Sequence, residues 1–213
     1  MALKQGLFIC FEGVEGSGKS TQSKLLYQYI KKNISKKVIL TREPGGTKLS
    51  EKIRNFILND KNNLDVVTEF LLIMAGRNEH VTKKINYYLK KKYIVICDRF
   101  FFSTLAYQHY LEKMNINFIY AIQKIIYPKL YPDITFLLDL NRLTSKIRIN
   151  KRNKKRNKFD QLSNKKFNII RKGFLKISKK YNKKIIKINS NQNISFIKKA
   201  VLNKTIEYIN ARS

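Results

Sequence analysis

Acidic residues are scarce in this chain. Only 14 Asp and Glu stand against 45 Lys and Arg in 213 residues, for a formal net charge of +31. From Lys146 to Lys187 the only acid is Asp160. A nucleic-acid footprint would be clustered on one face, whereas here lysines fall on almost every predicted helix. Lys, Asn and Ile, all encoded by A/T-rich codons, are abundant together. Compositional drift therefore explains the charge better than a specific nucleic-acid partner. Such a surface would still attract anionic nucleotides and bind nucleic acid nonspecifically at low salt. Cysteine is equally sparse: Cys10 and Cys97 each fall in a predicted buried strand, which argues against a disulfide framework and for a reducing cytoplasm. No apolar run has the length of a membrane span. The apolar stretch at 7–11 is too short for a signal peptide, so a cytoplasmic location is expected. Neither an internal repeat nor an interdomain linker is visible, and one domain is expected over residues 1–213.

Glycine is also sparing, eight in all, yet three fall within six positions. Gly13, Val14, Glu15, Gly16, Ser17, Gly18, Lys19 and Ser20 fit G-x-x-x-x-G-K-[ST], the phosphate-binding P-loop. The glycines let the backbone curl so that several N–H groups point at one anion. In this motif Lys19 reaches the β- and γ-phosphates, and the Ser20 hydroxyl sits on Mg²⁺. The apolar run at 7–11 precedes the loop as a strand. Leu25, Leu26, Tyr29 and Ile30 follow it at helical spacing, so the loop opens a helix N-terminus.

Strands and helices alternate throughout. Apolar runs at 7–11, 38–41, 93–97, 134–138 and 184–188 suit strands covered on both faces. Helical patterns occupy about 19–32, 47–58, 66–91, 103–112, 117–126, 142–150, 165–181 and 194–210. The alternation predicts an α/β, three-layer P-loop NTPase fold, a five-stranded parallel sheet flanked by helices. Ligands of such sheets bind beyond the C-terminal strand ends. There the sequence places the P-loop, Arg42-Glu43-Pro44-Gly45-Gly46, Asp98-Arg99 and Asp139. Arg42 and Glu43 would line a pocket facing the P-loop, with Thr47 capping the next helix. Asp98, beside the P-loop strand, could position a hydrated Mg²⁺, and Arg99 could neutralise a second phosphate.

TREPGGT at 41–47, Asp98-Arg99 and STLAYQ at 103–108, in this order after this P-loop, resemble the bacterial type of thymidylate kinase over essentially the whole chain. The resemblance implies transfer of the γ-phosphoryl of ATP to dTMP, giving dTDP on the way to dTTP. It also implies Mg²⁺ and a cytosolic homodimer, with no membrane and no specific nucleic acid. Residues 13–20 would cradle the ATP phosphates, with Glu15 near the 3′-hydroxyl of dTMP. Glu43, Arg54 and Arg99 would hold dTMP and its phosphate. Arg77 would hydrogen-bond thymine, with Thr104 and Gln108 also facing the base. The basic run at about 150–160 resembles the family's LID, which closes over ATP. Gly16 and Ser17 fill the variable P-loop positions where a basic residue could stand, and family members without one there carry the arginines in the LID; Arg148, Arg152 and Arg156 are the candidates. Lys19 and these arginines would stabilise a loose, metaphosphate-like transition state.

The chain departs from the family pattern at four places. Ile73 replaces a Phe that stacks on thymine, which predicts weaker dTMP binding. Asn157-Lys158 replaces Asp-Arg ahead of Phe159 and Asp160, removing an expected salt bridge within the LID. His109 stands where glycine is common. Phe100-Phe101-Phe102 carries Phe where a polar third residue is usual.

Overall fold

A computed structural model describes residues 6–34, 36–59, 63–128, 130–152 and 157–211. Arg156 lies outside the described residues, as do the other positions at 153–155 of the expected LID.

Five strands, β1 (Leu7–Glu12), β2 (Val38–Arg42), β3 (Ile94–Asp98), β4 (Ile134–Asp139) and β5 (Ile185–Asn189), form one sheet in the order β2-β3-β1-β4-β5. Every pairing is parallel. All six residues of β1 are buried, and alternate side chains serve opposite faces. Phe8 and Cys10 join one apolar cluster with residues of the helices at 66–80, 101–111 and 164–180. Leu7, Ile9 and Phe11 join another with Leu26, Ile30, Ile197 and Val201. This double burial is why the strands read as continuous apolar runs.

The helices are α1 (Lys19–Asn33), α2 (Lys48–Leu58), α3 (Val66–His80), α4 (Asn86–Lys90), α5 (Phe101–Thr104), α6 (Ile116–Ile126), α7 (Arg142–Asn150), α8 (Asn164–Lys180) and α9 (Ile194–Asn210). A π-helical turn, Val81–Ile85, joins α3 to α4, so the single helix expected over 66–91 is three consecutive helical segments. A longer π-helical segment, Leu105–Leu111, continues α5. Thr47, Asp65, Asn141, Ser163 and Asn193 cap their helices with side-chain oxygens. Helix α1 starts instead from Gly18, which has no side chain to cap it; its first N–H groups suit an external anion.

The three consecutive phenylalanines belong to the core: Phe100, Phe101 and Phe102 are all buried, and Phe100 packs edge-on against Phe8 at 5.0 Å. Asp139 sits at a strand end as expected, but its carboxylate takes both Arg171 Nε at 2.7 Å and an Arg171 terminal nitrogen at 3.0 Å. It ties β4 to α8 and lines neither cavity described below.

Candidate active site

The register Phe11↔Asp98 brings the end of β3 beside the P-loop strand. Gly13, Gly16 and Gly18 all have positive φ, at 138°, 78° and 90°. Gly13 packs so closely on β4 that a Cβ there would lie 2.5 Å from the Leu138 carbonyl oxygen. Gly16 faces α7, where a Cβ would lie 3.0 Å from the Ser145 carbonyl oxygen and 3.2 Å from its Cα. Two hydroxyls hold the loop from outside: Ser145 donates to the Glu15 carbonyl at 2.8 Å and Ser190 to the Ser17 carbonyl at 2.5 Å.

Residues 15–20 line one large cavity, together with Arg42, Arg148, Arg152, Ile194 and Ile197. Gly13 and Val14 lie beneath the loop instead, and their carbonyls accept from Lys19 Nζ at 3.0 and 2.8 Å. Burial, aided by the charge on Arg99, pushes Lys19 down to about 8. The Ser20 hydroxyl donates to Asp98 Oδ2 at 2.5 Å. Arg148 reaches the loop after β5, donating to Ser190 Oγ at 3.4 Å and the Gln192 carbonyl at 3.2 Å. This brings the polar turn at 189–193 onto the same side as the P-loop.

A second cavity is lined by Glu15, Glu43, Arg54, Ile73, Arg77, Arg99, Thr104 and Gln108, all eight residues expected at an acceptor. It shares Glu15, Glu43, Arg54, Arg99 and Asn157 with the first. Its floor is a buried polar network. Arg77 Nε donates to Glu43 Oε2 at 2.6 Å. Its terminal nitrogens donate to Thr104 Oγ1 at 2.9 Å, to the Tyr127 hydroxyl at 3.2 Å and to the Phe100 carbonyl at 3.2 Å. Glu43 Oε1 meets His80 Nδ1 at 2.9 Å, and His80 Nε2 meets Thr41 Oγ1 at 2.7 Å. Burial would push the Glu43 carboxyl up, but Arg77 and His80 outweigh it and hold it below the usual carboxylate range.

Arg99 has φ 72°, in the left-handed region that side-chain-bearing residues seldom adopt. Its guanidinium donates to Ser103 Oγ at 2.9 Å, to Glu15 Oε1 at 2.5 Å and to the Tyr107 hydroxyl at 3.3 Å. Tyr107 in turn donates to Glu15 Oε2 at 2.5 Å. Burial opposes the charge on Arg99, but Tyr107 and the nearby carboxylates hold it well above its ordinary range. Arg54 donates to the Pro44 carbonyl at 2.9 Å. Burial and the neighbouring Arg42 lower its affinity for its proton.

Of the described residues in the basic run expected to be a LID, Asn157 and Phe159 line this second cavity, whereas Arg152, Asn157 and Asp160 line the first. Phe159 meets the Tyr107 ring edge-on at 5.4 Å. Lys158 forms an ion pair with Glu69 of α3, and Arg152 sits 3.6 Å from Asp160. The basic run thus keeps an internal charge pair despite the missing Asp-Arg.

A family model described as Thymidylate kinase matches residues 11–201. The chain belongs to the thymidylate kinase family. It is 45% identical over 173 residues to a thymidylate kinase of Wolbachia pipientis wMel, covering 81% of this chain and 85% of that one. It is 49% identical over 158 residues to one of Rickettsia canadensis (strain McKiel), covering 74% and 76%. The crystal structure of thymidylate kinase from Ehrlichia chaffeensis superposes with a TM-score of 0.75 at 35% identity, covering 94% of this chain and 98% of that one.

Sequence reasoning missed several residues that the fold brings to this family site. Tyr107 and Ser103 lie in the quoted STLAYQ stretch, which was the available signal. His80, Tyr127 and Glu12 carry no local signal at all. Glu12, at the end of β1, is buried and accepts from Phe100 N, Ser103 N and Ser103 Oγ.

Proposed function

We propose that this chain phosphorylates dTMP to dTDP with the γ-phosphoryl group of ATP, in the cytoplasm. The observation that carries the reading is the wall common to the two cavities, where Arg54 and Arg99 stand between the P-loop and the Arg77 network. The P-loop N–H groups and Lys19 bind the ATP phosphates. Arg54 and Arg99 grip the dTMP phosphate, and Arg77, Thr104 and Gln108 face thymine over Ile73. An oxygen of the dTMP phosphate attacks the γ-phosphorus in line, and the bridging oxygen leaves with ADP. The acceptor is already anionic, so positioning and charge stabilisation suffice, without a side-chain nucleophile or a strong base. Arg148, Arg152 and Arg156 of the LID side supply positive charge to the transferring group and exclude water as the LID closes.

Ser20 and Asp98 would hold Mg²⁺, which supplies charge neutralisation of the phosphates. Their adjacent hard oxygen donors, 2.5 Å apart, fit an ion that takes one or two protein oxygens and completes its shell with water and phosphate. No helix among the described residues is long and apolar enough to cross a membrane. Cys10 and Cys97 are free and buried, which suits a reducing compartment.

A homodimer through α2, α3 and α6 is part of the same reading. Phe56, Val67, Leu71 and Phe118 on these helices are each between 39% and 49% exposed, and Phe118 packs on buried Phe70 at 5.6 Å. Brought together by a partner subunit, these side chains would form an interface of the kind that monomers seldom expose. Leu71→Asp should convert a dimer to a monomer in sedimentation; a wild type that sediments as a monomer refutes this surface. For the reaction, ADP release is followed across dTMP, dUMP, dCMP, dGMP and thymidine. Strong turnover is expected with dTMP. Little turnover of dTMP beside strong turnover of another acceptor overturns the assignment.

A further inference from the structure

Glu12 touches neither cavity, is 1% exposed and has no part in the phosphoryl transfer described above. A carboxylate that far from water is costly unless several donors meet it. Three do. Oε1 accepts from Phe100 N at 2.9 Å and Ser103 N at 3.1 Å, and Oε2 accepts from Ser103 Oγ at 2.5 Å. Burial still pushes its carboxyl above the usual range, against the opposing pull of Arg99, Ser103 and Phe100.

The Ser103 hydroxyl has one proton and two lone pairs. Its proton goes to Glu12, which turns the lone pairs toward Arg99, whose terminal nitrogen donates to it at 2.9 Å. Arg99 is also held at its backbone, in the left-handed region, by a bond from its N–H to the Phe11 carbonyl at 2.9 Å. Phe11 and Glu12 are therefore consecutive anchors of the same arginine, one for its main chain and one, through Ser103, for its guanidinium. Both sit on the strand that leads into the P-loop. The other partners of the guanidinium, Glu15 and Tyr107, line the acceptor cavity.

We propose that Glu12 is a positioning residue for acceptor binding: through the Ser103 hydroxyl it fixes the Arg99 guanidinium and ties it to the strand that carries the donor loop. The inference rests on the reading of Arg99 as the grip on the dTMP phosphate. A carboxyl side chain is essential because its two oxygens offer acceptors to all three N–H and O–H donors. A glutamine can keep the two backbone bonds on its oxygen, but its amide then presents N–H to Ser103. The hydroxyl must then accept from both sides; its proton loses its acceptor, and the charged bond that fixes the Ser103 rotamer against Arg99 is gone.

Glu12→Gln should raise the KM for dTMP roughly tenfold, the scale of one charge-assisted hydrogen bond, while the KM for ATP stays within about twofold. Ser103→Ala removes the relay from its other end, leaves the backbone bonds to Glu12 in place, and should give the same split. Should Glu12→Gln fail to fold, as read by its melting curve, Ser103→Ala carries the test. The decisive measurement combines either substitution with Arg99→Ala. If Glu12 acts through Arg99, adding it to Arg99→Ala raises the dTMP KM no further. Penalties that multiply in the double variant, or a dTMP KM unchanged in the folded single variants, overturn the proposal while Arg99 keeps its role. A dTMP KM unchanged by Arg99→Ala alone overturns the Arg99 assignment and this inference with it.

Discussion

Glu43→Gln isolates the electrostatic centre of the second cavity, the proposed acceptor pocket. Glu43 and Arg77 are each 3% exposed at the side chain, with Nε and Oε2 2.6 Å apart. Glu43 uses both oxygens, one for Arg77 and one for His80. A glutamine keeps one acceptor. His80 can reverse its tautomer and accept from the new amide, donating instead to Thr41. What remains uncompensated is the buried guanidinium. Removing one partner of such a pair costs about 3–5 kcal/mol, and the retained hydrogen bonds place this variant near the lower figure, about 3 kcal/mol. For a chain of this length that lowers Tm by roughly 6–12 °C.

The test is ligand-free denaturation in urea, with a constant slope required before midpoints are compared. Glu207→Gln is the control. Its pair with Lys204 is 2.8 Å long, but the side chains are 62% and 50% exposed, so water screens it and the midpoint should not move. The pH dependence has a definite sign. The folded Glu43 is held below its ordinary range, so its contribution is complete above the ordinary carboxylate range and disappears as pH falls through the depressed value. The gap between wild type and Glu43→Gln should therefore narrow in acid. A loss under about 1 kcal/mol at neutral pH, on the scale of an exposed pair, or a gap that widens in acid, would refute this reasoning.

Two further outcomes are expected. Lys19 titrates near 8 in the free protein because burial and Arg99 disfavour its charge, so kcat/KM for ATP should fall roughly tenfold per pH unit above that value; a flat profile to about pH 9.5 contradicts it. Ile73 lines the acceptor cavity without an aromatic face, so Ile73→Phe should lower the KM for dTMP by up to about tenfold, and an unchanged KM defeats the stacking argument.

The fold was legible because its signals are local. The β1 run, the glycines at 13, 16 and 18 and the helical repeat of α1 are contiguous, and buried parallel strands need no alternation to be recognised. The core of the site is different in kind. Glu12 meets its donors 88 and 91 residues away, Tyr107 meets Glu15 across 92, and His80 meets Glu43 across 37. In sequence, Glu12 and His80 are ordinary polar residues on a strand and a helix, and of the three only Tyr107 lies in a recognisable stretch. Asp139 illustrates the opposite error: a strand-end position points to ligand, but Arg171, 32 residues later, takes both carboxylate oxygens. The basic run was visible as charge, whereas the attachment of Arg148 to Ser190 and Gln192 depends on how α7 lies against the loop after β5.

Gly16 constrains which descendants of this protein are accessible. The loop lacks a basic side chain at that position, and φ 78° together with the Ser145 backbone 3.0 Å from any added Cβ makes one hard to acquire. A single Gly16→Arg substitution would meet main chain rather than a side chain able to swing away. Moving cationic duty from LID to loop would require α7 to retreat first, a change with no advantage by itself. On the proposed division of labour between LID and loop, α7 packed onto Gly16 acts as an epistatic lock that would hold a lineage to its LID arginines.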